Sequence, residues 1–117
     1  CFAAYTKGTT ALLCAILATS EKLGVRRELE EQWSRGGSDF AGQAQERVRQ
    51  VTVKVWRFAG EMEEIASTFR EAGLPGEFHA AAEIIYRRIT EFKDAPSLPP
   101  LEDVLAALVQ TPGSDHP

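Results

Sequence analysis

Nine small or apolar residues, Ala44, Val48, Val51, Val55, Phe58, Met62, Ile65, Phe69 and Ala72, recur at alternating spacings of four and three. Only a helix brings positions so spaced onto one side. The stripe therefore predicts one helix of about 30 residues, roughly 45 Å long. Gly60 lies off the stripe and is the expected place for a kink or a close helix crossing. Over four repeats a core helix and the seam of a dimer look alike, so the stripe leaves both open. Gln50 to Val55 (QVTVKV) alternates briefly and is β-branched, but its flanks favour helix. No longer stretch alternates with period two, and the fold class is all-α.

The first twenty residues carry one charge, Lys7, and Ala11 to Ala18 (ALLCAILA) is apolar on every side. Such a segment is expected to be buried all round. A core helix, a membrane span and the apolar region of a secretory signal compete for it. The run falls short of the roughly 20 residues a bilayer needs. Helical pattern continues through Glu21 and Lys22 to Gly24, a good C-terminal stop, which favours the core helix over the signal.

Beyond Gly24, Val25, Leu29 and Trp33 fall on one face of a short polar helix, and Ser34 to Asp39 reads as a loop ending in a cap. Gly73-Leu74-Pro75-Gly76 stops the long helix. The next helix, Glu77 to about Lys93, is expected to bury Phe78, Ala82, Ile85, Ile89 and Phe92, leaving His79 in solvent. A stiff linker at 94–100 leads to a last helix that starts near Pro100 and presents Leu101, Val104, Leu105 and Leu108 on one side. One domain is expected over 1–109, with a disordered tail at 110–117.

A chain of 117 residues with 44% apolar and 26% charged residues has room for one core. Its net charge of -4 argues against nucleic acid or an anionic membrane as partner. Cys1 and Cys14, if both lie on the first helix, are roughly 20 Å apart, too far for a disulfide, and a reduced, cytoplasmic chain is expected. The two histidines are distant and no zinc cluster is possible. The chain opens at Cys1 inside what already reads as a helix, so it is expected to be a piece of something longer.

No Gly-rich phosphate loop, Gly-x-Ser-x-Gly or His-Glu-x-x-His occurs, so the chain holds no complete active site. What it offers is polar groups in apolar surroundings. Thr6 and Thr10 share a face with Lys7 beside them, next to Tyr5 and Thr9; they are either the solvated end of a core helix or a surface facing a ligand. Glu61, Glu63 and Glu64 are either a carboxylate cluster or a hydrated face, with Arg57 a ready partner for Glu61. Trp56 lies off the stripe, packed on a second neighbour or facing a pocket.

The run Phe2 to Leu13 (FAAYTKGTTALL), the segment Trp56 to Ile65 (WRFAGEMEEI) and Ala72 to Gly76 (AGLPG) resemble the C-terminal helical domain of a bacterial branch of the β-hydroxyacid dehydrogenases. That superfamily includes 3-hydroxyisobutyrate and 6-phosphogluconate dehydrogenases, and the resemblance covers about residues 1–109. It implies a 6-phosphogluconate dehydrogenase C-terminal-like fold, preceded by a Rossmann domain that binds NAD or NADP, in a protein that oxidises or reduces a small hydroxy acid and forms a homodimer. The family's catalytic Lys-x-x-x-Asn would begin just upstream of Cys1, leaving no catalytic residue in this chain. With that Lys two residues upstream, Ala3 stands at the Asn position. Phe2, Ala3, Thr6, Lys7 and Thr10 would then share its face and line the cleft between domains, with Tyr5 on the border. The family's Lys-Asp pair beside the pocket finds its nearest match in Glu63-Glu64, which keeps a carboxylate and loses the Lys. By the resemblance Tyr5, Thr6, Lys7, Thr10 and Glu64 are the substrate-binding residues. A free-standing helical interaction module, pairing through the 44–72 stripe, is the alternative.

Overall fold

Helix α1, Phe2–Lys22, is the axis of the structure and touches each of the five other α-helices. These are α2 (Arg26–Trp33), α3 (Phe40–Val51), α4 (Val55–Glu71), α5 (Glu77–Arg87) and α6 (Leu101–Leu108), with single 3₁₀ turns at Arg35–Gly37 and Thr90–Phe92. The computed structural model describes residues 2–109; Cys1, the side chain of Phe2 and the expected tail at 110–117 lie outside the described residues. No strand occurs among the described residues, and the fold is all-α as expected.

α1 ends where its sequence says it should. Gly24 takes the left-handed conformation at φ +76°, and the N–H groups of Gly24 and Val25 close on the carbonyls of Glu21 and Ser20. Ala11, Cys14, Leu17 and Ala18 are buried among the other helices. Among the described residues no helix is long and apolar enough to cross a membrane. The expectation that α1 is buried all round is wrong on one side. Leu12 is 57% exposed, and Ala15 and Ile16 are half-buried. The other helices pack on the opposite side of α1 and leave the Leu12 side open.

The predicted 30-residue helix is two helices. The chain leaves helical geometry at Lys54 (φ −122°, ψ 15°), so the 4-3 stripe runs through α3, a short turn and α4. The break falls at Thr52-Val53-Lys54, at the end of the β-branched run Val51-Thr52-Val53, and not at Gly60. Consecutive β-branched side chains lose χ1 freedom against the preceding turn. Thr52 adds a competing bond, its hydroxyl donating to the Arg49 carbonyl at 2.7 Å. Stripe residues Ala44, Val48, Val55 and Met62 have no exposed surface, so the stripe is core and is not free to act as a dimer seam.

Gly60 lies inside the unbroken α4, exposed, with open space around the position a Cβ would take. Gly60→Ala is therefore expected to stabilise the chain by about 0.5–1 kcal/mol, read as a raised midpoint of urea unfolding.

α5 is rotated from its predicted setting. Its buried residues are His79, Ala82 and Tyr86, with Ile89 following, whereas Phe78 is 76% exposed. The helix also stops at Arg87, six residues short of Lys93. Its apolar arc is wide enough to serve two surfaces, and packing on α4 and α1 takes one edge while Phe78 and Ile84 remain outside. α6 buries Leu101, Val104, Leu105 and Leu108, all four as predicted. α2 buries none of its residues fully, although half-buried Trp33 packs against the core and edge-on to Phe40; polar contacts add to its hold. Arg26 pairs with Glu21 of α1, Glu30 and Glu102 of α6, while Gln45 of α3 donates to Glu30 at 2.6 Å. The loop before α3 is capped by Ser38, whose hydroxyl accepts the Phe40 N–H, rather than by the Asp39 side chain.

Candidate functional site

At 100° per residue, Thr6, Lys7, Thr10 and Cys14 lie on one side of α1, and Ala4, Gly8, Leu12 and Ala15 on the other. The first side meets α3, α4 and α5; the second borders α5 at Ala4 and Gly8 and is open at Leu12.

On the inner side the Lys7 ammonium pairs with the Glu61 carboxylate of α4 and stands 4.2 Å from the centre of the Phe58 ring. The Tyr86 hydroxyl of α5 donates to the Lys7 carbonyl, and its ring lies edge-on to Phe58. Tyr86 is fully buried, and burial raises its phenol above the ordinary value, so it remains a protonated donor. Cys14, also fully buried, has its thiol pushed up to about 12 by desolvation and is no nucleophile at neutral pH.

Arg47 reaches the same stretch of α1 from α3. One guanidinium nitrogen, Nη2, donates to Thr10 Oγ1 at 2.6 Å, Thr9 Oγ1 at 3.1 Å and the Thr6 carbonyl at 3.3 Å. Thr10 is buried and donates its own proton to the Thr6 carbonyl at 2.8 Å, which leaves its lone pairs to the arginine. Thr9 donates to the Tyr5 carbonyl at 2.6 Å. Three α1 oxygens thus fix one edge of an otherwise exposed arginine.

Of the residues singled out by sequence, the structure brings together Lys7, Thr10 and the backbone of Thr6. The Thr6 side chain is exposed. Tyr5, 75% exposed, lines the open side of α1 instead of joining Lys7. Glu64 is exposed; it is Glu61, one turn earlier, that meets α1. Glu61 pairs with Lys7 rather than with Arg57, and Glu63 stands in solvent with Glu64, so the three carboxylates do not act as one cluster. Among the described residues no group of three His, Cys, Asp or Glu is placed to hold a metal ion. Trp56 is half exposed, with the Lys93 ammonium 4.9 Å from its ring centre.

His79, expected in solvent, is buried. Its Nε2 bonds the Ala4 carbonyl at 3.0 Å, its ring lies edge-on to Phe69 at 4.9 Å, and its Nδ1 has no partner. The position is open to it because residue 8 is glycine: a Cβ there would stand 2.8 Å from His79 Nε2. Arg47 and Tyr86 carry no local sign of a role in the sequence. The one signal there is the spacing of Tyr86, four from Ala82 and seven from His79, the set that proves buried.

On the open side, α1 and α5 flank a groove of about 1120 Å³, walled by Tyr5, Leu12 and Ala15 on one bank and Phe78, Ala81 and Ile85 on the other. Ala15 is shared with a shallower groove of about 380 Å³ that runs past Ile16 to Leu23, Val25 and Leu29. Apolar surface therefore follows α1 from Tyr5 to Leu23.

The profile of one protein family, described as "Domain of unknown function (DUF1932)", matches residues 20–89, more than half of the chain. That domain is known as the C-terminal helical part of 3-hydroxyisobutyrate dehydrogenase-like proteins. The match takes in Arg47, Glu61, His79 and Tyr86, while Tyr5 to Thr10 precede it. No curated protein and no solved structure matches the chain.

Proposed function

We propose that this chain, which belongs to the family described as "Domain of unknown function (DUF1932)", is the substrate-facing and dimer-forming helical domain of an oxidoreductase that acts on a small hydroxy acid with NAD or NADP. The observation that carries the reading is the two-sidedness of α1. Its inner side gathers Lys7, Thr10, Arg47, Glu61 and Tyr86 at one end of the bundle, and its outer side is an uncovered apolar groove.

On this reading the inner end faces the acid. Lys7 and Arg47 supply positive charge to its carboxylate, Thr10 supplies a fixed hydroxyl, and the buried Tyr86 phenol locks the Lys7 backbone in place. The dinucleotide does not fit the chain's own residues, since no Gly-rich turn or strand is present among the described residues to cradle its phosphates. It belongs instead to a nucleotide-binding domain preceding this one, and the hydride chemistry is the cofactor's. The test is an assay of the complete polypeptide on a panel of small 2- and 3-hydroxy acids with each nicotinamide cofactor. Reduction of one cofactor by one acid class is the expected result; no turnover with any pair overturns the reading.

The outer side is assigned to a second copy of the chain. From Tyr5 to Leu23 the apolar face runs about 27 Å. The apolar residues along it adjoin one another rather than standing singly, and a two-fold pairing of α1 and α5 would cover them on both subunits at once. Leu12→Asp places a charge at the centre of the face. It is expected to convert the dimer to monomer in sedimentation equilibrium without lowering helix content, and a dimer that survives it would remove the groove from the interface.

A further inference from the structure

The first turn of α5 is set by two close approaches. A Cβ at Gly76, which precedes the helix, would stand 2.6 Å from the Ala66 carbonyl oxygen of α4, and a Cβ at Gly8 of α1 would stand 2.8 Å from His79 Nε2. Each glycine admits a neighbour closer than any larger residue would. Held at both points, α5 has its rotation about its own axis fixed, and Phe78 is turned outward. It is 76% exposed, and no large apolar side chain among the described residues is more so. A phenyl ring in water beside a buried imidazole with an unmet Nδ1 reverses the order that burial preferences favour. Sequences keep such local departures mainly at functional surfaces.

The groove that Phe78 borders has the relief of a self-complementary surface. On α5, Phe78 and Ile85 flank Ala81; on α1, Tyr5 and Leu12 flank Gly8. In both helices the large pair is seven residues apart, about 10.5 Å along the axis. Equal spacing of projections and gaps lets two copies interdigitate about a two-fold axis, each supplying the same patch. Glu77, at the end where α5 begins, is the one charged group lining the groove among the described residues, so the occupant it suits is apolar.

We propose that Phe78 is the anchor of the pairing between copies: its ring inserts between α1 and α5 of the second copy, whose own Phe78 enters the groove of the first. The inference rests on the reading of this groove as a contact between two copies, and names the residue that carries its affinity. A ring already held outward loses little freedom on insertion, and a few buried aromatic anchors carry most of the binding in contacts of this kind.

The test is sedimentation equilibrium of the complete polypeptide. Phe78→Ala is expected to raise the dimer dissociation constant about tenfold or more, and Phe78→Leu, which keeps an apolar projection, by less. Because the ring stands in water in the single chain, neither variant should lower the urea midpoint at a concentration where the chain is monomeric; a merely structural role would lower it. A photoreactive benzophenone in place of the Phe78 ring then reports what it touches. Irradiation is expected to yield a covalent species of twice the chain mass, with the adduct on α1 or α5 of the second copy. An adduct of single-chain mass, to a part of the same polypeptide outside 2–109, would give the groove to that part and overturn the proposal. A dimer broken by Leu12→Asp but unchanged by Phe78→Ala would leave the pairing standing and overturn Phe78 as its anchor. A dimer that survives Leu12→Asp, or a wild-type polypeptide that is monomeric throughout, would overturn the pairing and the anchor together, so the two failures are distinguishable.

Discussion

Gly8→Ala will weaken the fold by about 2 kcal/mol, although the same change inside an open helix normally stabilises. Alanine would gain up to about 1 kcal/mol of helix propensity. Against this, its Cβ would sit 2.8 Å from His79 Nε2, well inside contact distance. The imidazole cannot swing aside freely, because it is 7% exposed, bonded to the Ala4 carbonyl and packed on Phe69. Overpacking of this kind costs about 1–3 kcal/mol. Moving the ring also removes the only bond of an imidazole whose Nδ1 is already unpartnered, adding about 1–3 kcal/mol for buried groups left unsatisfied. Gly60→Ala is the internal control, since both are exchanges within a helix and only one faces a neighbour. Urea unfolding should move in opposite directions for the two variants. Equal stabilisation by both would mean that α1 and α5 do not approach at Gly8.

Lys7→Met in the complete polypeptide will lower kcat/KM by about a hundredfold on the proposed reaction, the loss typical of removing a group that positions the substrate. Methionine keeps an unbranched apolar stem against Phe58 and deletes only the charge. Glu61, 32% exposed at its side chain, can be rehydrated, so the melting temperature should change little. The double variant Lys7→Met with Glu61→Gln separates two roles. If Lys7 served only to neutralise Glu61, removing both charges would restore turnover. The expected result is that stability stays near the wild-type value while kcat/KM remains low. Full activity in the single variant would take Lys7 out of the site.

Features encoded within a few neighbouring residues are legible in the sequence. Gly24 and Gly73 close their helices in the left-handed conformation, and α6 buries the four residues its spacing names. The departures share a cause, which is that local pattern is silent on what lies across the bundle. Apolar spacing reads Val51-Thr52-Val53 as helix despite the strain of three β-branched residues, because a 4-3 stripe persists across a short turn as readily as along one helix. Hydrophobicity alone ranks Phe78 inside and His79 outside; the glycine at position 8, on another helix, reverses the order. Leu12 sits in a run apolar on every side, yet the outer side of α1 has no covering element among the described residues.

The site divides in the same way. Angular spacing alone puts Thr6, Lys7 and Thr10 on one face of the first helix, and local pattern likewise suffices for the all-α class, the stop at Gly24 and the buried face of the last helix. The groups those residues meet come from far along the chain. Glu61 is 54 positions from Lys7, Arg47 is 37 from Thr10, and Tyr86 is 79 from Lys7. Periodicity states which side of a helix turns inward, because that depends on backbone geometry shared by every helix. It carries no information on which side chain arrives from across the bundle, because that depends on the packing of the whole core.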